Sequence, residues 1–236
     1  MKIKYVTLTG ADNRTDISEM KRISEDFEYV EWAILFSQSK VGTSRYPTYE
    51  WIDKLANYLS SNFRLSAHLC GIWAKDACKG NLSFLYDEDI ADMFSRIQIN
   101  LSVDDLRKSL QSENNFFDCA LDRPTILGGS YKKANCEMPI DLFTLNNVYP
   151  LFDCSGGRGI LPDEWPKIPL NEQNKNMFCG YAGGLGPDNL KEELSKIESV
   201  VGDAEIWIDM ETKLRDNEVF DLNKCIKVLE IAERWT

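Results

Sequence analysis

The chain contains no apolar run of 18 or more residues, so it has no segment long enough to read as a membrane-spanning helix. The first residues, Met1-Lys2-Ile3-Lys4, lead directly into a strand-like run and do not resemble a signal peptide. We therefore expect a cytoplasmic protein. Linkers and low-complexity tracts are also lacking, which favours one domain over residues 1–236.

The sequence has no Cys-x-x-Cys pair, and its seven cysteines are scattered and odd in number. This pattern argues against a disulfide framework and against a zinc site, so reduced thiols are expected. Only one histidine is present, His68. We expect neither a metal nor another cofactor.

Basic residues are few: 27 Lys and Arg stand against 38 Asp and Glu, for a formal net charge of -11. Such a charge repels nucleic acid backbones and anionic lipid surfaces, which excludes both as expected partners. A few arginines around a pocket would still suit a small anionic ligand. Nothing in the sequence indicates the oligomeric state.

Strand-like and helix-like segments alternate along the chain. The strand-like apolar runs are Ile3 to Leu8, Val30 to Phe36, Phe63 to Leu69, Ser95 to Ile99, Pro124 to Leu127, Val148 to Phe152, Met177 to Tyr181 and Glu205 to Ile208. The amphipathic segments are Ile17 to Phe27, Tyr49 to Leu59, Glu88 to Phe94, Val103 to Leu110, Met138 to Leu145, Leu190 to Val200 and Leu222 to Ala232. This alternation predicts an α/β fold, a single (β/α)8 TIM barrel.

The sixth connection, Cys154 to Asn176, departs from the alternation. It lacks a helical pattern and contains Pro162, Pro166 and Pro169. The sequence therefore predicts that a long loop replaces the sixth helix. Loops of this length in compact domains are usually functional.

Two glycine loops follow strand-like runs in the last ninety residues. The first is Ser155-Gly156-Gly157-Arg158-Gly159, and the second, Ala182 to Asn189, contains Gly183 and Gly184. Glycine lets backbone N–H groups approach a ligand closely, and the second loop enters a predicted helix whose positive dipole end favours an anion such as phosphate. The alternative is that both are tight turns chosen for positive φ.

In a parallel barrel the ligand site lies at the carboxyl ends of the strands. Those ends are predicted at Thr7 to Gly10, Phe36 to Lys40, His68 to Gly71, Gln98 to Asn100, Gly128 to Ser130, Asp153 to Cys154, Gly180 to Gly184 and Asp209 to Glu211.

Asp153 and Asp209 end the sixth and eighth strands, and paired carboxylates at a pocket move protons between carbon and oxygen in sugars. Either could instead cap the loop that follows it. His68 could exchange protons near neutral pH or be a hydrogen-bonded interior residue. Cys154 could be a reactive thiol or a small buried residue.

Several of these motifs together resemble phosphoribosylanthranilate isomerase. They are Leu151-Phe152-Asp153 with the first glycine loop, Asp163-Glu164-Trp165, the second glycine loop, Ile206-Trp207-Ile208-Asp209 and Phe220-Asp221-Leu222-Asn223-Lys224. In the first half of the chain, Thr9-Gly10 stands where the family has Cys-Gly, and Ser44-Arg45-Tyr46 resembles the family's Ser-x-Arg-Tyr. The resemblance covers most of the chain and implies a single (β/α)8 barrel.

The resemblance also implies roles for individual residues. The family carries out an Amadori rearrangement of a phosphoribosyl-amine, in which Asp153 would be the general acid. Arg45 would hold the substrate carboxylate, and Gly183 and Gly184 would present N–H groups to the phosphate. The first glycine loop supplies further candidate substrate-binding residues, Gly156, Gly157, Arg158 and Gly159.

The chain departs from the family at several places, one of which is a shorter loop between Asp153 and Gly156. Thr9 replaces the cysteine that serves as general base, and a hydroxyl cannot take a C–H proton as a thiolate can. Met210-Glu211-Thr212 replaces a Ser-Ser-Gly phosphate turn, and the fourth strand ends in Gln98-Ile99-Asn100 where the family has Gln-Leu-His-Gly.

Two functions are compatible with these residues. The first is an isomerase-like enzyme acting on a phosphorylated or ribose-containing small molecule other than phosphoribosylanthranilate, with Asp12, His68 or Asp209 as replacement base. The second is a barrel that has lost the chemistry and binds a nucleotide or sugar phosphate.

Overall fold

The computed structural model describes residues 1–88, 90–101, 105, 124–130, 147–153, 155, 158–171 and 173–236. Eight parallel strands form a closed barrel in the order β1-β2-β3-β4-β5-β6-β7-β8, which confirms the predicted fold. The strands are β1 Lys2–Thr9, β2 Val30–Phe36, β3 Leu65–Leu69, β4 Arg96–Asn100, β5 Thr125–Ser130, β6 Val148–Asp153, β7 Cys179–Ala182 and β8 Glu205–Met210. Barrel closure comes from β1 pairing with β8, for example Thr7 with Asp209.

Helices flank the strands. They are Ile17–Asp26, Tyr49–Ala56, Ile72–Ala77, Ser83–Asp87, Leu190–Val201 and Leu222–Ala232, with 3-10 turns at Ala91–Met93, Thr212–Leu214 and Glu233–Trp235. Their buried faces pack against outward-facing strand residues such as Val6, Leu8 and Ile34. Within the described residues, no helix is long and apolar enough to cross a bilayer.

Helix starts follow local sequence. Asp16 caps the helix Ile17–Asp26 by accepting from the N–H groups of Ser18 and Glu19, and Asp221 caps the last long helix in the same way. An aspartate in this position satisfies backbone donors that have no partner inside the helix.

The prediction of a helix at Glu88 to Phe94 was wrong. The structure places helices at Ile72–Ala77 and Ser83–Asp87 and only a 3-10 turn at Ala91–Met93. Each is too short to show a helical period in the sequence. The predicted helices at Val103 to Leu110 and Met138 to Leu145 lie outside the described residues, apart from Asp105.

The sixth connection is a loop, as predicted: none of residues 158–171 and 173–178 is helical. It is nevertheless anchored to the barrel. Trp165 is buried and donates through Nε1 to Glu193 at 2.7 Å, and Tyr181 donates its hydroxyl to the carbonyl of Pro166 at 3.0 Å. These bonds hold the loop beside the carboxyl ends of β6 and β7.

A buried ion pair lies inside the barrel. Arg96 Nε donates to Glu31 at 2.9 Å, and Thr7 donates its hydroxyl to the same carboxylate at 2.9 Å. The Arg96 guanidinium also lies 4.8 Å from the ring centres of Tyr5 and Trp207. This polar and aromatic layer fills the interior, so that any ligand must bind at an end of the barrel.

Close packing around Trp207 explains why residue 180 is a glycine. A Cβ on Gly180 would lie 2.2 Å from Cε2 of Trp207, much closer than van der Waals contact allows. The indole therefore requires glycine on the neighbouring strand β7.

Candidate active site

A cavity of about 860 Å³ opens at the carboxyl ends of the strands. Most of the residues predicted for the site line it: Thr9, Arg45, His68, Asp153, Arg158, Gly159, Gly183, Gly184 and Asp209. Gly156, Gly157 and Cys154 lie outside the described residues. The residues predicted for the site thus converge on one cavity at this face of the barrel.

Asp209 lies on the floor of this cavity and is 8% exposed. Its Oδ1 accepts a hydrogen bond of 2.6 Å from Thr9 Oγ1, and its Oδ2 lies 3.5 Å from the amide nitrogen of Gln98. Burial raises the pKa of Asp209 to about 7, and the nearby charges of Glu211 and Asp153 add to the increase, while the Thr9 hydrogen bond opposes it. Asp209 bonds to Thr9 on the neighbouring strand β1 and to Gln98 on β4 across the barrel, which is unlike a residue that only caps its own loop.

His68 lies next to Asp209 but is neutral. Burial, together with the positive charge of Arg96, lowers the pKa of His68 to about 3. The amide nitrogen of Gln98 lies 3.3 Å from Nδ1, so Nδ1 is the acceptor and the ring proton is on Nε2. The 4.0 Å separation between Nδ1 and Asp209 Oδ2 is therefore not an ion pair. This environment argues against His68 as a base near neutral pH.

Asp153 both lines the cavity and orders the loop that follows it. Its Oδ1 accepts from the backbone N–H of Ser155 at 2.9 Å and from the Ser155 hydroxyl at 2.8 Å. Asp153 and Asp209 are both in register with Ala182 on the strand between them. The two carboxylates therefore lie at the same level on β6 and β8, on either side of β7.

Asp12 does not line this cavity. Its carboxylate accepts from Arg14 at 3.0 Å, from Arg215 at 2.9 Å and from the backbone N–H of Arg45 at 3.0 Å. Burial acts to raise its pKa, but these hydrogen bonds outweigh it and lower the pKa of Asp12 to about 2. Asp12 ties together the loops after β1, β2 and β8, and this placement argues against it as the replacement base.

Arg45 reaches the cavity from the loop after β2, with φ of 77°. Its Nη1 lies 2.7 Å from Glu211 Oε1, and its Nε lies 3.7 Å from Glu218 Oε2. Burial raises the pKa of Glu211, and the charge of Arg45 opposes this effect. The arginine predicted to hold a ligand carboxylate is thus paired with carboxylates of the protein itself.

The second glycine loop forms part of the cavity wall. Gly183 and Gly184 have φ of 107° and 70°, in the region that favours glycine. Among the described residues, none accepts a hydrogen bond from the N–H groups of Gly183, Gly184 or Leu185. Three uncommitted backbone donors beside a cavity are suited to an anion.

The helix after this loop contributes less than the sequence suggests. Asn189 Oδ1 accepts from the N–H of Gly186, and its amide donates to the carbonyl of Gly184, each at 2.9 Å. The N–H of Leu190 bonds to the carbonyl of Gly186. Since residues 186–192 do not line the cavity, the candidate anion site is the loop rather than the helix start.

Several lining residues were not identified from the sequence. They include Thr43, Leu101, Lys213 and Glu218. Lys40 and Lys213 bring the cations around the cavity to four, together with Arg45 and Arg158, in a protein with a net charge of -11. Cys70 follows β3 and lies within the predicted strand end His68 to Gly71, whereas Glu218 lies in the β9–β10 hairpin (Arg215–Asp216 and Val219–Phe220), for which no local motif exists. Within the described part of the chain, no His, Cys, Asp and Glu cluster could hold a metal ion.

Comparison with known proteins gives structural matches only. No family model matches the sequence, and no curated protein gives a significant sequence match. Phosphoribosyl anthranilate isomerase from Thermus thermophilus superposes with a TM-score of 0.61 at 11% identity, covering 100% of both chains. TrpF from Jonesia denitrificans gives a TM-score of 0.60 at 15% identity, covering 97% of this chain and 96% of its own.

A third match is a phosphoribosyl anthranilate isomerase in complex with reduced 1-(o-carboxyphenylamino)-1-deoxyribulose 5-phosphate. It has a TM-score of 0.59 at 12% identity, covering 98% of each chain. At these identities the likeness is one of fold. The chain has a (β/α)8 barrel like that of these phosphoribosyl anthranilate isomerases, at 11 to 15% sequence identity.

Proposed function

We propose that this protein catalyses an isomerase-type proton transfer on a phosphorylated, ribose-containing small molecule. The observation that carries the proposal is the position of Asp209, a carboxyl group with a pKa of about 7 on the floor of a cavity whose wall presents free glycine-loop N–H groups. A general base is most effective when its pKa lies near the working pH. Asp209 therefore takes the role that Thr9 cannot fill.

Proton transfer requires a second group that returns a proton to the substrate. Asp153 lies in register with Asp209 across β7, and its charge contributes to the raised pKa of Asp209. In the proposed reaction Asp153, which lines the open cavity, first takes up a proton from solvent. Asp209 then removes a proton from a sugar carbon while Asp153 delivers its proton to the neighbouring oxygen, so that the substrate loses one proton and gains one.

Phosphate recognition is assigned to the N–H groups of Gly183, Gly184 and Leu185. Arg158 and Lys213 line the same cavity and add positive charge. Backbone donors in a turn of this kind bind anions without a dedicated side chain, because their dipoles converge. The structural neighbour bound to a ribulose 5-phosphate derivative supports a phosphorylated ligand for the fold.

A second function, ligand binding without catalysis, is favoured by one observation: Thr9 lies at the end of β1 with its hydroxyl committed to Asp209. The two functions differ in the effect of Asp153→Asn. For an enzyme this change lowers turnover by about 10² to 10⁴-fold and leaves affinity nearly intact. For a binding protein no turnover is present in the first place.

Thermal unfolding with ribose 5-phosphate, ribose and inorganic phosphate tests the ligand class. Ribose 5-phosphate at about 100 times its dissociation constant should stabilise the fold by about 2.7 kcal/mol. Ribose at the same concentration is the control for the phosphate. Equal, negligible shifts with all three compounds would contradict a phosphorylated sugar as ligand.

A further inference from the structure

The Arg45 side of the cavity presents hydrogen-bond acceptors. The Arg45 guanidinium is paired with Glu211 at 2.7 Å and is flanked by Glu218 at 3.7 Å. Glu211 and Glu218 both line the cavity, so two carboxylates face this one guanidinium. Lys40, the other cation after β2, lies on the exposed rim over the ring of Tyr46.

A second, independent feature of the cavity floor also favours a ligand that carries a hydrogen-bond donor. Gln98 is 3% exposed, and its side-chain Oε1 has no hydrogen-bond partner among the described residues. A carbonyl oxygen can only accept, and leaving a buried acceptor without a donor is unfavourable. A ligand group that reaches this floor is therefore favoured if it brings an N–H or O–H.

From these observations we infer that Glu211 is a specificity-determining residue. Glu211 neutralises the charge of Arg45, so this side of the cavity disfavours ligands with a carboxylate. It favours a sugar phosphate that carries an amine or another neutral or cationic hydrogen-bond donor. The inference rests on the proposed phosphorylated ligand and adds the chemistry of its other end. The phosphate binds at the glycine loop, and the donor faces Glu211 and Gln98.

The physical basis is charge matching. A ligand carboxylate beside Arg45 would have to displace Glu211 from its ion pair or lie next to it, and juxtaposed like charges cost several kcal/mol in a partly buried site. A donor group instead completes the hydrogen bonding of Glu211 and Gln98 and leaves the ion pair in place.

Two probes that differ only at this end test the inference. The first is the stable reduced amine formed from ribose 5-phosphate and aniline, and the second is the same compound with an ortho-carboxylate on the ring. Calorimetric dissociation constants should favour the carboxylate-free probe by about tenfold or more in the wild type. Glu211→Gln frees Arg45 and should shift the ratio toward the carboxylate probe by about tenfold or more.

Glu205→Gln is the matched control, because Glu205 lies at the opposite end of β8 and pairs with Lys2 and Lys4. It removes the same charge and should leave the ratio unchanged. The double variant Arg45→Gln/Glu211→Gln leaves neither partner unpaired and should bring the ratio close to one, which keeps the test valid if Glu211→Gln alone does not fold.

A wild type that prefers the carboxylate probe, or a ratio that is the same in wild type and Glu211→Gln, would overturn the role of Glu211 while leaving the phosphate site intact. Absence of binding for both probes and for ribose 5-phosphate would overturn the proposed function itself, and the inference with it.

Discussion

Thr9 and Asp209 are joined by a hydrogen bond of 2.6 Å across the seam where β1 closes the barrel against β8. The hydroxyl occupies Oδ1 and leaves Oδ2 facing Gln98 and His68. Because a hydrogen bond to the carboxylate favours its ionised form, Thr9 limits how far burial raises the pKa of Asp209. Thr9 thus adjusts the ionisation of Asp209, the group that we propose as the general base.

Thr9→Val should move the pH dependence of turnover. The Thr9 hydrogen bond lowers the pKa of Asp209, so its loss should raise that pKa. The rate rises as Asp209 ionises near pH 7. The midpoint of this rise should therefore move about one pH unit higher in the variant. Thr9→Ser keeps a hydroxyl and should retain the midpoint. Identical pH profiles for the two variants would show that this bond does not control the ionisation.

Asp209 also makes stability depend on pH. Its pKa of about 7 in the folded protein lies above the ordinary value of 3.8, so the folded state holds the proton more tightly than the unfolded state. The corresponding stability is present below the unfolded pKa and is lost as pH rises through about 7. Relative to Asp209→Asn, the wild type should therefore lose free energy of unfolding between about pH 4 and pH 7, by at most about 1.4 kcal/mol per pH unit, and the difference should level off above pH 7.

Urea unfolding at a series of pH values measures this difference. The Asp209→Asn variant cannot ionise at residue 209 and serves as the reference throughout. Parallel curves for wild type and variant over the same range would mean that Asp209 ionises normally in the folded protein.

Gly184 should be more sensitive to substitution than its φ alone requires. A Cβ at this position would lie 2.6 Å from the backbone nitrogen of Leu161, whereas Gly202 has a similar φ of 61° and nothing within 4 Å. Gly202→Ala therefore measures the cost of the backbone conformation, about 1 to 3 kcal/mol. Gly184→Ala should lower the free energy of unfolding by clearly more than Gly202→Ala, because it also forces the sixth connection away from the second glycine loop. Equal losses in thermal stability would show that this packing is not tight.

The buried pair of Arg96 and Glu31 should behave as one unit. Arg96→Met leaves the fully buried carboxylate of Glu31 without its partner and should destabilise the fold by about 3 to 5 kcal/mol. Adding Glu31→Gln removes the unpaired charge and should restore part of that loss. Simple addition of the two single effects in a double-mutant cycle would contradict the coupling.

The barrel was predictable because its strands bury both faces and read as short apolar runs. Val30–Phe36, for example, is buried throughout and was located to the residue. The short helices between residues 72 and 93 were not predicted from the sequence, since their stability depends on packing. Trp73 stacks on Phe84 at 4.4 Å, a contact between residues whose spacing carries no helical period.

The site was predictable to the level of the strand ends, which the barrel topology brings to one face. Sequence reasoning could not rank Asp12, His68 and Asp209 as bases, because their protonation depends on tertiary partners. Arg215 holds Asp12 from a position about two hundred residues away in the chain, and Arg96 acts on His68 from the barrel interior. The pairing of Arg45 with Glu211 is likewise a property of the folded chain.

Hydrogen exchange at the sugar carbon tests the central claim most directly, since it detects proton removal before any product is identified. The protein is incubated in D2O with ribose 5-phosphate and with its reversibly formed aniline adduct, and deuterium at C2 is followed by NMR. We predict exchange catalysed by the wild type and reduced about 10²-fold or more in Asp209→Asn. Exchange at the same rate in both proteins, or none above the protein-free rate with either compound, would contradict Asp209 as the general base.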